Sequence, residues 1–434
     1  MISARSLAQR ALVQLELGKT RRLRDELDRA SLPPRDMAFA YELAHGALRN
    51  ERFLDAVLAL LAHRGLPRDP PLRCALRLGA YQLLFLGGVA VHAAVHETVE
   101  LVPEQRGFAN ALLRRLSTMV TKAEPATAAS PCTIAIDGER ALQLPPPGLP
   151  AADDTQWLAL RHSLPEFLVA RWQQAFAADC ARVCAASSAV PAVFLRATAL
   201  AGDTGALRTA LAGAGVQCEE TAHPRVLRWH AGSSPFQTAA FHDGWFVAQD
   251  PTAVLAAEAV PAAPGATIVD LCAAPGTKTM LLAERVQPDG VVFAYDVDPR
   301  RRQLIVDNAA RLRLERQVRV VDTPAGLPRA DAVLADQPCS NTGVLARRVE
   351  ARRRLRPTTF AELAAQQRPI LLQACGLVAG GGAVVHSTCS IEPEENGEVV
   401  RAVLPEGFVL EREVTTLPAV AAGDGGYFAV LRAP

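Results

Sequence analysis

Apolar residues recur every three or four positions through the first 120 residues. Leu7, Ala11, Leu12 and Leu15 mark one face, and the spacing returns over 37–62, 72–86 and 107–120. That period predicts amphipathic helices. Breaks fall at Leu32-Pro33-Pro34, at 67–71 and at Gly87-Gly88, where proline or glycine interrupts the pattern. The expectation is a compact helical bundle over 1–122. From Thr121 the composition shifts to Ala, Thr and Pro, with "LPPPGLP" near its end, which predicts a proline-stiffened linker over 123–154. In 155–240 a helical "LPEFLVARWQQAFAADCARVCAAS" precedes a strand at "AVFLRAT" and a helix near 204–213, predicting a small α+β subdomain.

From Gly244 onward the texture alternates. Apolar runs at 266–271, 291–296, 318–321, 331–335 and 383–387 are separated by helical stretches. Strand–helix repetition predicts an open, largely parallel sheet covered on both faces. The chain therefore reads as multidomain, with an all-α N-terminal domain, a small α+β segment and a C-terminal α/β Rossmann-like domain over 241–434. Ligands of such sheets bind beyond the carboxyl ends of the strands. The unusual residues of the last 190 positions all fall there.

Composition narrows the partners. The 434 residues are half apolar and carry a net charge of +1, so overall charge selects no ligand. Locally, 300–356 holds 14 Arg against 6 acidic residues, which fits either a solvated surface or a nucleic-acid groove. Nine cysteines without CxxC or Cys/His metal spacing argue against a disulfide framework or a metal site. The start "MISARSLAQRALVQLELGKT" reads as an amphipathic helix and not as a signal peptide. The uncharged "LGAYQLLFLGGVAVHAAVH" is interrupted by two glycines, predicting helix, turn and helix instead of a membrane span. A cytoplasmic monomer is expected. Only Lys19, Lys122 and Lys278 are lysines among 46 basic residues, so a surviving lysine suggests a position that arginine would not serve.

The first strand of the α/β domain leads into "IVDLCAAPGTKT". Small residues and Pro-Gly let backbone approach a ligand, and the next helix offers free N–H groups. The stretch matches neither GxGxxG nor the phosphate loop GxxxxGK[ST]. Asp270, Asp296, Asp322 and Asp336 close four successive strands. Carboxylates gathered at one sheet edge suit a ligand with hydroxyls, an amino group and a positive centre, such as S-adenosyl-L-methionine. Two thiols follow later strands: Cys339 in "VLADQPCSNTG" and Cys389 in "AVVHSTCSIEPEEN". Either alone fits a small buried hydrophobe. Both on one rim, near N–H groups and arginines, fit the chemistry of a pyrimidine carbon, where a thiolate adds to carbon 6 and makes carbon 5 nucleophilic.

"DLCAAPGTKT", "DQPCSNTG" and "HSTCSIEPEEN" resemble the motifs of the Nop/Sun family of RNA cytosine carbon-5 methyltransferases, and the resemblance extends over the last 200 residues. It implies Cys389 as nucleophile, Cys339 as the thiol that assists release, and Asp336 against the base. It further implies cofactor contacts from Cys272, Ala273, Ala274, Pro275, Gly276, Thr277, Lys278, Asp296, Asp322 and Asp336. "ARSLAQRALVQLE", "RDMAFAYELAHGALRN" and "GFANALLRRL" resemble the helical RNA-binding domain of the antitermination factor NusB. That combination implies 16S rRNA as substrate, at cytosine 967 in the standard rRNA numbering. Two residues depart from the family pattern: Gln337 stands where Ala is usual, and His386 where Tyr or Phe is usual. His386 fits either a satisfied histidine at a strand end or a group tuning the thiol. "RRVEARRRLRP" replaces the usual "HPD", which bears on substrate contacts.

Overall fold

The computed structural model describes residues 2–63, 65–123, 130–149 and 153–434. Its contacts divide the chain into two compact units, Met1–Val190 with Arg348–Arg354, and Pro191–Arg347 with Leu355–Pro434.

The first unit is built on helices whose ends the sequence marks. Ser3 and Ser6 form a reciprocal cap at the start of helix Ala4–Glu16, and Asp69 accepts from the Leu72 N–H ahead of Pro70–Phe85, supplying the acceptors that first-turn N–H groups lack. Helices Pro34–Arg49, Glu51–Leu61, Val91–Val99 and Arg106–Ser117 bury Leu43, Leu54, Val95 and Leu113 in the same core as Leu7 and Leu12. The glycine-interrupted apolar stretch is a helix, a turn and a second helix. No helix among the described residues is long and apolar enough to cross a membrane.

The described part of 123–154 is not a linker. Val120–Lys122, Thr133–Ala135 and Arg140–Gln143 form a three-stranded antiparallel sheet with the last in the middle. Ile134, Leu142, Leu144 and Leu149 join the helical core. Alternation in "TIAIDGERALQL" around an Asp-Gly turn carries the sheet, a signal that the Pro/Ala/Thr composition obscures. Residues 124–129 and 150–152 lie outside the described set. The expected 155–240 subdomain is also divided. Helices Asp154–Arg161, Glu166–Phe176 and Cys180–Ser188 belong to the first unit. Val193–Ala197, Val216–Glu220, Val226–Gly232 and Phe246–Ala248 form a four-stranded sheet in the second.

Part of the arginine-rich segment is interior. Arg352, 5 % exposed, donates to the carbonyls of Arg49, His162 and Ser187 at 3.0, 3.2 and 2.8 Å. Glu350 accepts from the Leu23 N–H at 2.9 Å. In the second unit Arg347 pairs with Asp424 at 2.6 Å and Asp250 at 3.3 Å. These side chains hold the fold together, a use that neither a solvated surface nor a groove describes.

The second unit contains a seven-stranded sheet. Its strands are β1 Thr267–Leu271, β2 Val291–Tyr295, β3 Val318–Val320, β4 Ala330–Asp336, β5 Val378–Thr388, β6 Val409–Thr416 and β7 Gly426–Arg432. They lie in the order β3-β2-β1-β4-β5-β7-β6. The first five are parallel, and β7 runs antiparallel to both its neighbours. Alternate residues enter different cores: Ile268 and Val385 join one cluster, Val269 and Val384 the other. That two-sided burial is why the strands read as continuous apolar runs. The order reverses between β1 and β4, which puts the loops after these two strands beside each other.

Candidate active site

The register of β4 and β5 explains how two sulfurs fifty residues apart meet. Asp336 pairs with Ser387 across the strands, and the Gln337 N–H donates to the Ser387 carbonyl at 2.8 Å. Cys339 and Cys389 follow this pair by three and two residues, so both chains leave the sheet at one level. The Gly343 N–H donates to the Cys389 carbonyl at 3.0 Å and fastens one loop to the other. The sulfurs end 3.1 Å apart, both as free thiols and both half-buried. Cys389 Sγ also donates to Asn341 Oδ1 at 3.4 Å, and Asn341 Nδ2 returns to the Cys339 carbonyl at 2.8 Å. The Cys339 thiol is pushed well above its ordinary value, first by its hydrogen bond with Cys389 and then by burial.

Asp336 stands at the end of β4 beside the thiols. Lys278 Nζ donates to its Oδ2 at 2.6 Å and Ser387 Oγ to its Oδ1 at 3.0 Å. Burial disfavours the charge on Lys278, but Asp336 offsets this and Cys389 adds to it, so the ammonium is held above its ordinary value.

The loop after β1 runs from Cys272 to Gly276. Gly276 has φ +101° and leads into helix Thr277–Val286, a conformation open to glycine without a Cβ penalty. Cys272 also has positive φ, and burial pushes its thiol up to about 12, so it is an unreactive wall of the loop. Asp296 fixes this loop: its Oδ2 accepts from the Ala274 N–H at 3.2 Å, and Arg301 pairs with it at 3.2 Å. Asp322 stands apart from the others, its side chain fully exposed and paired with Arg302.

Two acidic residues matter more than the sequence motifs suggested. Asp270 accepts from Thr279 Oγ1 at 2.6 Å, while its buried Oδ1 has no partner among the described residues. Burial raises this carboxyl to about 7. Glu395 lies six residues beyond Cys389, and it accepts hydrogen bonds from both thiol-bearing loops. Its position among three acidic residues in "EPEE" was the available signal, but the contact is tertiary.

The two departures from the family pattern are partners. Gln337 Nε2 donates to His386 Nδ1 at 2.9 Å, and His386 Nε2 donates to the Glu395 carbonyl at 3.2 Å. Both side chains are buried, and burial pushes His386 down to about 4. It is thus a neutral, satisfied histidine.

Comparison with known proteins agrees with this geometry. Residues 258–426 match the family described as 16S rRNA methyltransferase RsmB/F, and 2–118 match the NusB family. The ribosomal RNA small subunit methyltransferase B of Sodalis glossinidius is 31 % identical over 423 residues, covering 92 % of this chain and 90 % of that protein. The chain belongs to the ribosomal RNA small subunit methyltransferase B family. The crystal structure of PH0851 shares the fold of the whole chain, with a TM-score of 0.75, 22 % identity and 99 % of each chain covered. The structure of NSun6 from Pyrococcus horikoshii with SFG covers 62 % of this chain and 98 % of its own, at TM-score 0.56 and 18 % identity. As a member of this Nop/Sun group the chain is an RNA methyltransferase whose cofactor is S-adenosyl-L-methionine.

The residues present fit that cofactor. The unpartnered Asp270 oxygen is an acceptor for a donor such as an amino group, and Asp296 is an acceptor at the next strand end. The helix from Thr277 supplies free N–H groups. No group of three or more His, Cys, Asp or Glu that could hold a metal occurs among the described residues.

Proposed function

We propose that this protein methylates carbon 5 of a cytosine in 16S rRNA through a covalent adduct of Cys389, with cytosine 967 as the target that the family resemblance implies. The observation that carries this reading is the 3.1 Å separation of two free thiols from different strands, next to Asp336 and its lysine. A single nucleophile needs no second thiol in contact. A reaction that forms and then breaks a carbon–sulfur bond can use one.

In this reading S-adenosyl-L-methionine, held at the loop from Cys272 to Lys278 with Asp270 and Asp296, supplies an electrophilic methyl group. Cys389 adds to carbon 6 of the ring, which makes carbon 5 enamine-like and nucleophilic. Asp336, oriented from two sides by Lys278 and Ser387, faces the ring nitrogen edge where the addition builds charge. After methylation a base takes the carbon 5 proton, the electrons of that C–H bond reform the carbon 5–carbon 6 double bond and expel Cys389 as a thiolate, and Cys339 assists this release. The target base leaves its stack, because carbon 6 is attacked from the ring face. The NusB-like domain adds RNA contacts, and the reaction takes place in the cytoplasm. The bond between Gln337 and His386 supports an active enzyme over a binding factor that has lost turnover, since neither departure removes a group from beside the thiols.

The test uses transfer of labelled methyl groups to 16S rRNA, with bisulfite sequencing to locate the base. Cys389→Ala is expected to abolish transfer while RNA binding persists, and Cys339→Ala to accumulate a denaturant-stable protein–RNA adduct. Full transfer by Cys389→Ala, or label at an atom other than cytosine carbon 5, would refute the proposal.

A further inference from the structure

Two thiols 3.1 Å apart do not both ionise, because the second charge would form against the first. Something must decide which keeps its proton. The answer is built into their supports. Glu395 is fully buried. Its Oε2 accepts from the Ser340 N–H at 2.7 Å, and its Oε1 accepts from the Ser390 hydroxyl at 2.9 Å. These serines directly follow Cys339 and Cys389, and their hydroxyls lie 3.1 Å from each other. One carboxylate therefore ties the two thiol-bearing loops together.

The charges around the sulfurs are unequal. Cys389 is among the groups that hold the Lys278 ammonium above its ordinary value, after Asp336. On Cys339 the hydrogen bond with Cys389 and burial come first in holding the proton, and the charge of Glu395 acts in the same direction. Burial raises Glu395 itself to about 7, with the charge of Glu392 adding to the effect. Its carboxylate is therefore largely ionised in the mildly alkaline range where thiols react.

We propose that Glu395 is a positioning residue that sets the spacing of the two thiols and assigns their roles, its charge keeping the proton on Cys339 and leaving Cys389 as the attacking sulfur. The inference rests on the proposed division of labour between the cysteines. Its test needs no RNA, so its outcome is separate from that of the methylation assay.

The test is iodoacetamide labelling of the full chain at pH 8, read site by site by mass spectrometry, with Cys132 of the first unit as reference. In the native chain Cys389 is expected to label at least tenfold faster than Cys339. In a Cys389→Ser background, adding Glu395→Gln is expected to speed labelling of Cys339 about tenfold and leave Cys132 unchanged. Glutamine can still accept from the Ser340 N–H and donate to Ser390, so it removes the charge and keeps the link. A merely structural Glu395 would leave Cys339 reactivity unmoved by this substitution. That result in a chain with an unchanged melting curve overturns the proposal. Faster labelling of Cys339 than Cys389 in the native chain also overturns it, without needing any Glu395 variant.

Discussion

Lys278 offers a sharp test of the site because it is the only lysine in the second unit. Its ammonium donates to Asp336 Oδ2 at 2.6 Å, with side-chain exposures of 14 % and 34 %. At an effective dielectric of about 20, two unit charges this close attract by about 6 kcal/mol before solvent screening. Asp336 is one-third exposed, so roughly half of that survives, which agrees with about 1.5–3 kcal/mol for a hydrogen bond between charged groups. Lys278→Met keeps the length of the side chain and removes this bond. If Asp336 acts only when so oriented, kcat/KM for methyl transfer falls about ten- to hundredfold, at 1.36 kcal/mol per decade. Stability changes little, since Asp336 can reach solvent. Lys278→Arg restores the charge but brings a planar fork to a site shaped for one donor, so rescue is at most partial. The assay is labelled methyl transfer under kcat/KM conditions, with a thermal melt of each variant. Activity of Lys278→Met within threefold of native, at unchanged melting temperature, would refute the assigned role of the pair.

The Gln337–His386 bond predicts coupling: Gln337→Ala and His386→Phe singly each lose about 1–3 kcal/mol by leaving a buried partner unsatisfied. The double variant should lose less than the sum by at least about 1 kcal/mol in denaturant unfolding, and additive losses would contradict the bond. His386, held near 4 in the folded chain and ordinary at 6.5 when unfolded, gains its proton first in the unfolded state. Its contribution to stability is therefore present above pH 6.5 and is lost as pH falls toward 4. Between pH 7 and 4.5 the stability of His386→Phe relative to the native chain should improve by about 2–3 kcal/mol, measured by urea unfolding at each pH. A flat difference would contradict the burial of a neutral imidazole. Gly46→Ala would place a Cβ within 2.0–2.3 Å of the buried Tyr81 ring, which is anchored by its hydroxyl to Glu42 at 2.5 Å. A loss of about 2–3 kcal/mol is expected by thermal or urea unfolding, and an unchanged midpoint would show that the helices can separate freely.

How much of this was legible in the chain follows from the range of each interaction. Helical spacing around Leu7 and Leu12, and apolar runs such as that from Ile268 to Leu271, state which faces are buried, because burial on one or two sides imposes its own period. Those local patterns, with the motif residues around Cys272, Asp336, Cys339 and Cys389, determined the helical N-terminal part, the parallel sheet and the candidate chemistry. They did not determine the sheet at 133–143, whose few apolar residues are stabilised by a core supplied from helices elsewhere in the chain. Nor did they separate Asp322, exposed on Arg302, from Asp270, buried with an open oxygen; the two look alike as strand-end aspartates. Strand register brought the two sulfurs to 3.1 Å. Only packing joined Gln337 to His386 and Glu395 to both loops, because hydrogen bonds between distant residues leave no periodic trace in sequence.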